Sequence, residues 1–130
     1  GEPLNLARTV QTLEDAGVAG IHIEDQVNPK RCGHLDGKAV VDQDTAVKRI
    51  ASAVDARRDE NLLIMARTDI RGVESLAAAI DRAKRLVDAG ADAIFPEAMK
   101  DLAFMGITAV SIFPGIDGVC EEFKERNFDV

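Results

Sequence analysis

Residues 15–24 read DAGVAGIHIE and residues 88–97 read DAGADAIFPE, the same phrase repeated 73 positions apart. Each phrase closes a helical pattern, turns at a glycine (Gly17, Gly90), runs through a short apolar strand and stops at a glutamate (Glu24, Glu97). Glycine just past a helix supplies the left-handed residue of a C-terminal cap. A strand that recurs after a helix marks a repeated βα unit. The repeat therefore predicts parallel strands alternating with helices, and a glutamate at the same end of two of them.

The flanking and intervening sequence has the same rhythm. Residues 3–16 carry Leu6, Val10 and Leu13 at a helical period. Asp42 is placed as the N-cap of a helix reaching about residue 57, with Ala46, Val47, Ile50 and Val54 on one face. Residues 62–66 (LLIMA) are continuously apolar and end in Arg67-Thr68-Asp69. Residues 74–89 predict the strongest helix, burying Leu76, Ala79, Ile80, Ala83, Leu86 and Val87. A further strand is expected over 108–113 and a weak helix over 118–124. Apolar strands separated by helices point to a parallel sheet covered on both faces. The expected fold class is α/β, a partial (β/α)8 TIM-type barrel. Residues 1–113 form its central part, and 114–130 are unassigned. A closed barrel takes about 250 residues, so 130 residues correspond to roughly half of one.

Composition narrows the function. Twenty-three acidic against 16 basic residues give a net charge of −7, which disfavours nucleic acid because phosphate binding needs a basic face. No apolar run approaches the roughly 18 residues of a membrane span. Two cysteines are too few for a disulfide scaffold and fit a reducing cytoplasm.

In a parallel barrel the catalytic groups gather at the C-terminal ends of the strands. Those ends here are Glu24-Asp25, Arg67-Thr68-Asp69 and Glu97. Carboxylates beside one guanidinium suit a divalent cation and a carboxylate-bearing substrate, although strand ends are also polar simply because loops are solvated. The polar stretch 25–37 holds the second candidate, Lys30-Arg31-Cys32-Gly33-His34. Cations beside a thiol favour proton exchange near neutrality, and Pro29, Gly33 and Gly37 suit a mobile loop. An exposed basic turn with an incidental thiol reads equally simply. A Cys–His metal site is disfavoured, since only Cys32 and His34 lie close together. His22 and Cys120 are expected to be buried core residues, and Met65, Met99 and Met105 core filler.

The segments His22-Ile23-Glu24-Asp25-Gln26, Lys30-Arg31-Cys32-Gly33-His34, Met65-Ala66-Arg67-Thr68-Asp69 and Phe95-Pro96-Glu97-Ala98 resemble the isocitrate lyase / phosphoenolpyruvate mutase superfamily in order and spacing. The likeness covers about residues 1–105. Its KRCGH segment marks the carbon–carbon lyases of the superfamily, closest to those acting on 2-methylisocitrate.

The resemblance implies cleavage of 2-methylisocitrate to pyruvate and succinate, a step of the methylcitrate cycle in propionate catabolism. Isocitrate and 2,3-dimethylmalate are the sister substrates. It makes Cys32 the general acid that protonates the succinate-side carbanion, with Lys30, Arg31, Gly33 and His34 completing the gating loop and His34 near substrate. Arg67 would bind a substrate carboxylate, and Glu97 would line the pocket with Gly33 and His34. Glu24 would join the shell of a Mg²⁺ ion (Mn²⁺ the alternative) through water, the ion acting as a Lewis acid. The implied partners are a small tricarboxylate substrate and further copies of the chain, a tetramer in the family. The family's Asp-x-Asp metal motif falls just before Gly1, and the strand and helix that should separate Met105 from Gly106 are absent. The chain is thus expected to be a fragment or a rearranged form, with a non-catalytic half-barrel or association subunit as the alternative.

Overall fold

The structure, a computed structural model, describes residues 2–32 and 36–97. The strand expected at 108–113, the helix at 118–124, Cys120 and the segment 114–130 lie outside the described residues. Along the chain come α1 (Pro3–Asp15), β1 (Gly20–Glu24), α2 (Gln43–Ala56), β2 (Leu63–Thr68), a 3-10 turn (Ile70–Gly72), α3 (Leu76–Asp88) and β3 (Ala93–Pro96).

Each helix starts and stops for a local reason. Pro3 opens α1, where its fixed φ and missing N–H cost nothing. The Asp42 carboxylate accepts from the Thr45 N–H ahead of α2, and the Ser75 hydroxyl accepts from the Ala78 N–H ahead of α3. The repeated phrase becomes a repeated cap. Gly17 and Gly90 have φ of 78° and 98°. The Gly17 and Val18 N–H groups donate to Glu14 O and Leu13 O; those of Gly90 and Ala91 donate to Val87 O and Leu86 O. Both are Schellman closures.

The three strands form one parallel sheet in the order β1-β2-β3. Glu24 stands opposite Arg67, and Arg67 opposite Phe95, so the three C-terminal strand ends share one rim. This is a run of βα units such as a (β/α)8 barrel repeats. Leu6 and Val10 of α1, Ala46, Ile50 and Ala53 of α2, and Ala83 and Leu86 of α3 pack with Ile23, Ile64, Ala66 and Ile94 into one core.

Two expectations need correction. The sheet is covered on one face only among the described residues: buried Ile64, Ala66 and Thr68 alternate with the more open Leu63, Met65 and Arg67. Leu63 and Phe95 remain 40% and 45% exposed on the uncovered side. A strand's side chains point alternately to the two faces, and helices pack against only one of them here. His22 falls on the open side and is exposed rather than a core residue, because its neighbours Ile21 and Ile23 take the helix-facing positions.

Candidate active site

Arg67 is the centre of the shared rim. Its guanidinium lies 3.0 Å from Glu97, 3.3 Å from Asp69 and 3.7 Å from Glu24, and its charge sits 5.7 Å from the centre of the Phe95 ring. The parallel register makes this convergence: Glu24 ends β1 opposite Arg67, and the Glu97 N–H, just past β3, donates to the Thr68 carbonyl. Two further cations reach the rim from the 27–39 loop. Lys30 lies 3.2 Å from Glu24, and the buried Lys38 ammonium lies 3.4 Å from Asp69. Asp69 is fully buried, and its Oδ1 accepts no aligned hydrogen bond; the Lys38 contact is one of charge. Glu24, Asp69 and Glu97 are thus interleaved with Lys30, Lys38 and Arg67.

Asp25, adjacent to Glu24, turns the other way. It is 3% exposed, and its carboxylate accepts from the Thr68 hydroxyl (2.6 Å), the Asp69 N–H (2.9 Å) and Arg82 Nη1 (2.9 Å). With those three donors placed, Asp25 ties the end of β1 to β2 and α3. Arg49 of α2 donates from Nη1 to the carbonyls of Glu24 and Gln26, 3.2 Å each. Arg31 and Cys32 are exposed, and Cys32 is a free thiol. Gly33 and His34 lie outside the described residues.

Structure therefore gathers Glu24, Lys30, Arg67 and Glu97, and leaves Arg31 and Cys32 on the outgoing limb of the adjoining loop. Sequence reasoning missed Gln26, Lys38, Arg49 and Arg82. For the last two a signal existed: Arg49 shares a stripe with Ala46, Ile50 and Ala53, and Arg82 with Ala79, Ala83 and Leu86. A lone charge on a buried stripe requires a buried partner.

A divalent cation does not fit the described residues by themselves. No group of three His, Cys, Asp or Glu side chains among them can hold an ion. Glu24 is already shared by Lys30 and Arg67, and Asp25 already accepts from three donors. Among the described residues no helix is long and apolar enough to cross a membrane.

Comparison with known proteins adds the lineage. The family model described as phosphoenolpyruvate phosphomutase matches residues 1–114. Over 99 residues the chain is 69% identical to the Corynebacterium glutamicum protein named "Probable 2-methylisocitrate lyase 1", covering 76% of this chain and 32% of that protein. The chain thus spans about a third of the length of this curated relative. Crystalline 2,3-dimethylmalate lyase, described as a PEP mutase/isocitrate lyase superfamily member, superposes with a TM-score of 0.81 at 35% identity, covering 96% of this chain and 46% of the other. Phosphonopyruvate hydrolase, solved in complex with oxalate and Mg²⁺, superposes with a TM-score of 0.70 at 25% identity, covering 92% and 46%. With residues 1–114 matched by one family model and the fold shared with a solved member, the chain belongs to the phosphoenolpyruvate mutase / isocitrate lyase superfamily.

Proposed function

We propose that the Arg67 rim and the Lys30–Cys32 limb belong to a carbon–carbon lyase that splits 2-methylisocitrate into pyruvate and succinate. The observation that carries this reading is Arg67 held among Glu24, Asp69 and Glu97 at the strand ends, with Lys30 of the adjoining loop 3.2 Å from Glu24. Kinship with a named 2-methylisocitrate lyase at 69% identity supports the choice of substrate.

In this reading Arg67 receives a substrate carboxylate, which its planar fork binds at two points, and Glu97 yields its place to it. The carbinol oxygen loses its proton to a rim carboxylate, the bond to the neighbouring carbon breaks, and the carbinol carbon leaves as the ketone of pyruvate. The electron pair stays on the succinate half. There it takes the proton of the Cys32 thiol, and the thiolate is reprotonated from solvent. A divalent cation, Mg²⁺ or Mn²⁺, would supply Lewis-acid stabilisation of the developing charge, and Glu24 is the rim residue that would join its shell through water.

The test is release of pyruvate and succinate in equal amounts from 2-methylisocitrate by the chain, beside isocitrate assayed for glyoxylate. Replacing Cys32 by Ala is expected to lower kcat by roughly 10²- to 10⁴-fold, the range of a positioned proton donor. Full activity in Cys32→Ala removes the thiol from the reaction, and faster glyoxylate release transfers the substrate to isocitrate.

One observation favours a second reading, in which the chain acts as one part of an assembly. Among the described residues one sheet face is without cover and presents Leu63 and Phe95, with β1 and β3 at the sheet's edges, and such edges invite pairing. Sedimentation mass separates the two, since a stable monomer that turns over substrate contradicts it.

A further inference from the structure

Gln26 is the first residue past the Glu24-Asp25 strand end, and it is 2% exposed. Its side-chain Nε2 donates to the Arg31 carbonyl at 3.0 Å, and its Oε1 accepts from the Arg31 N–H at 2.9 Å. A primary amide that engages both backbone groups of one residue acts as a short strand partner would. The backbone of Gln26 is tied as firmly. It pairs with Val40 in an isolated antiparallel bridge, flanked by Val27 N–H to Ala39 O at 2.9 Å and Val41 N–H to Asp25 O at 2.8 Å. Its carbonyl takes Arg49 Nη1. The outgoing limb of the 27–39 loop is therefore held by the buried Gln26 side chain, and the returning limb by the backbone around the same residue. Among the described residues the outgoing limb has one more tie, Lys30 to Glu24, which uses a lysine side chain 55% exposed, and solvent-screened pairs of that kind hold little.

We propose that Gln26 is the positioning residue of the Cys32 limb, its amide gripping Arg31 so that the next residue's thiol is presented to the Arg67 rim. The part played by that thiol rests on the lyase reading above; the grip itself does not. Ordinary core packing accounts less well for the arrangement, since both amide atoms bond to loop backbone rather than to the sheet.

The test uses the two peptide bonds that Arg31 forms. Trypsin cuts after Lys30 and after Arg31, and these bonds carry the N–H and the carbonyl held by Gln26. Gln26→Met keeps nearly the same volume and removes both hydrogen bonds. Native-state cutting at these two sites is expected to rise roughly 10- to 100-fold, the factor carried by two net hydrogen bonds when cleavage follows the open population. Cutting elsewhere and the circular dichroism spectrum stay unchanged. Gln26→Glu keeps the acceptor for the Arg31 N–H but sets a carboxylate oxygen against the Arg31 carbonyl, so its cutting rate also rises above wild type. In pyruvate release, kcat of Gln26→Met drops about 10-fold or more while KM stays within about twofold, because Arg67 is untouched. Wild-type cutting rates in Gln26→Met overturn the grip. Faster cutting with unchanged kcat overturns the positioning role. If the wild-type chain releases no pyruvate, the lyase reading fails, and the cutting ratio alone still decides the grip.

Discussion

Replacing Asp25 by Asn tests the most concentrated piece of buried electrostatics in the chain. The carboxylate accepts three hydrogen bonds, from Thr68, the Asp69 N–H and Arg82. Asn keeps the shape and one acceptor oxygen, so the Asp69 N–H remains served, and the Thr68 hydroxyl can rotate. Arg82 loses its counter-charge. It is 4% exposed, and its Nε already has no hydrogen-bond partner, so nothing else compensates the guanidinium. Breaking a buried pair from one side costs about 3–5 kcal/mol, a large part of the roughly 5–15 kcal/mol that holds a domain together. With a urea m-value near 2 kcal/mol/M, within the usual range, the unfolding midpoint falls by about 2 M, read by circular dichroism on matched samples. Adding Arg82→Met to Asp25→Asn removes the stranded charge and is expected to recover part of the loss, since apolar replacement of both partners is often near neutral. A midpoint shift below about 0.5 M, or a double variant no better than the single one, refutes the reasoning.

Two further outcomes follow from the caps and the acid groups. Gly90→Ala places a Cβ at a residue with φ of 98°, 3.1 and 3.2 Å from the Val54 methyl carbons. It should destabilise by more than about 1 kcal/mol in urea titration, whereas Gly17→Ala meets no atom within 4 Å and loses only the backbone part. Glu14 is held below its ordinary pKa by the Asp59 N–H and by Arg58, and Asp42 by the Thr45 hydroxyl and N–H. A depressed carboxyl stabilises the fold above its unfolded pKa, and that contribution is lost as pH falls through the lower folded pKa. The urea midpoint should therefore decline on acidification below the ordinary carboxylate range, and Asp42→Asn should flatten part of that decline.

Periodicity carried most of the fold. The apolar stripes of α1, α2 and α3, the Asp42 cap, and the glycine turns at Gly17 and Gly90 are local consequences of residue type, and local rules reach them. The coverage of the sheet is different. Leu63 and Phe95 look like core residues in a linear reading, because hydrophobicity says that a side chain prefers burial and not whether a neighbour is there to bury it. Parallel strands with helices on one side satisfy that preference on alternate residues only, and the open face follows from geometry beyond any one strand.

The rim shows the same division at the level of charge. That Glu24, Arg67 and Glu97 stand together is a property of strand ends in register, and the repeated phrase exposes it. What makes the rim rigid is less legible, since Asp25, Gln26, Arg49 and Arg82 act through partners 5 to 57 positions away. Yet two of them break a pattern on their own elements. Arg49 and Arg82 interrupt stripes that alanine, isoleucine and leucine otherwise fill, and a guanidinium is not left in such a place without a reason. Both reach past the core to the strand ends, one to backbone carbonyls and the other to the Asp25 carboxylate. Arg49 thereby ties the end of β1 to α2, and Arg82, through Asp25, ties the ends of β1 and β2 to α3. Buried arginines thus brace two of the three strand ends that make the rim, and interrupted helix stripes are the place in a sequence to look for them.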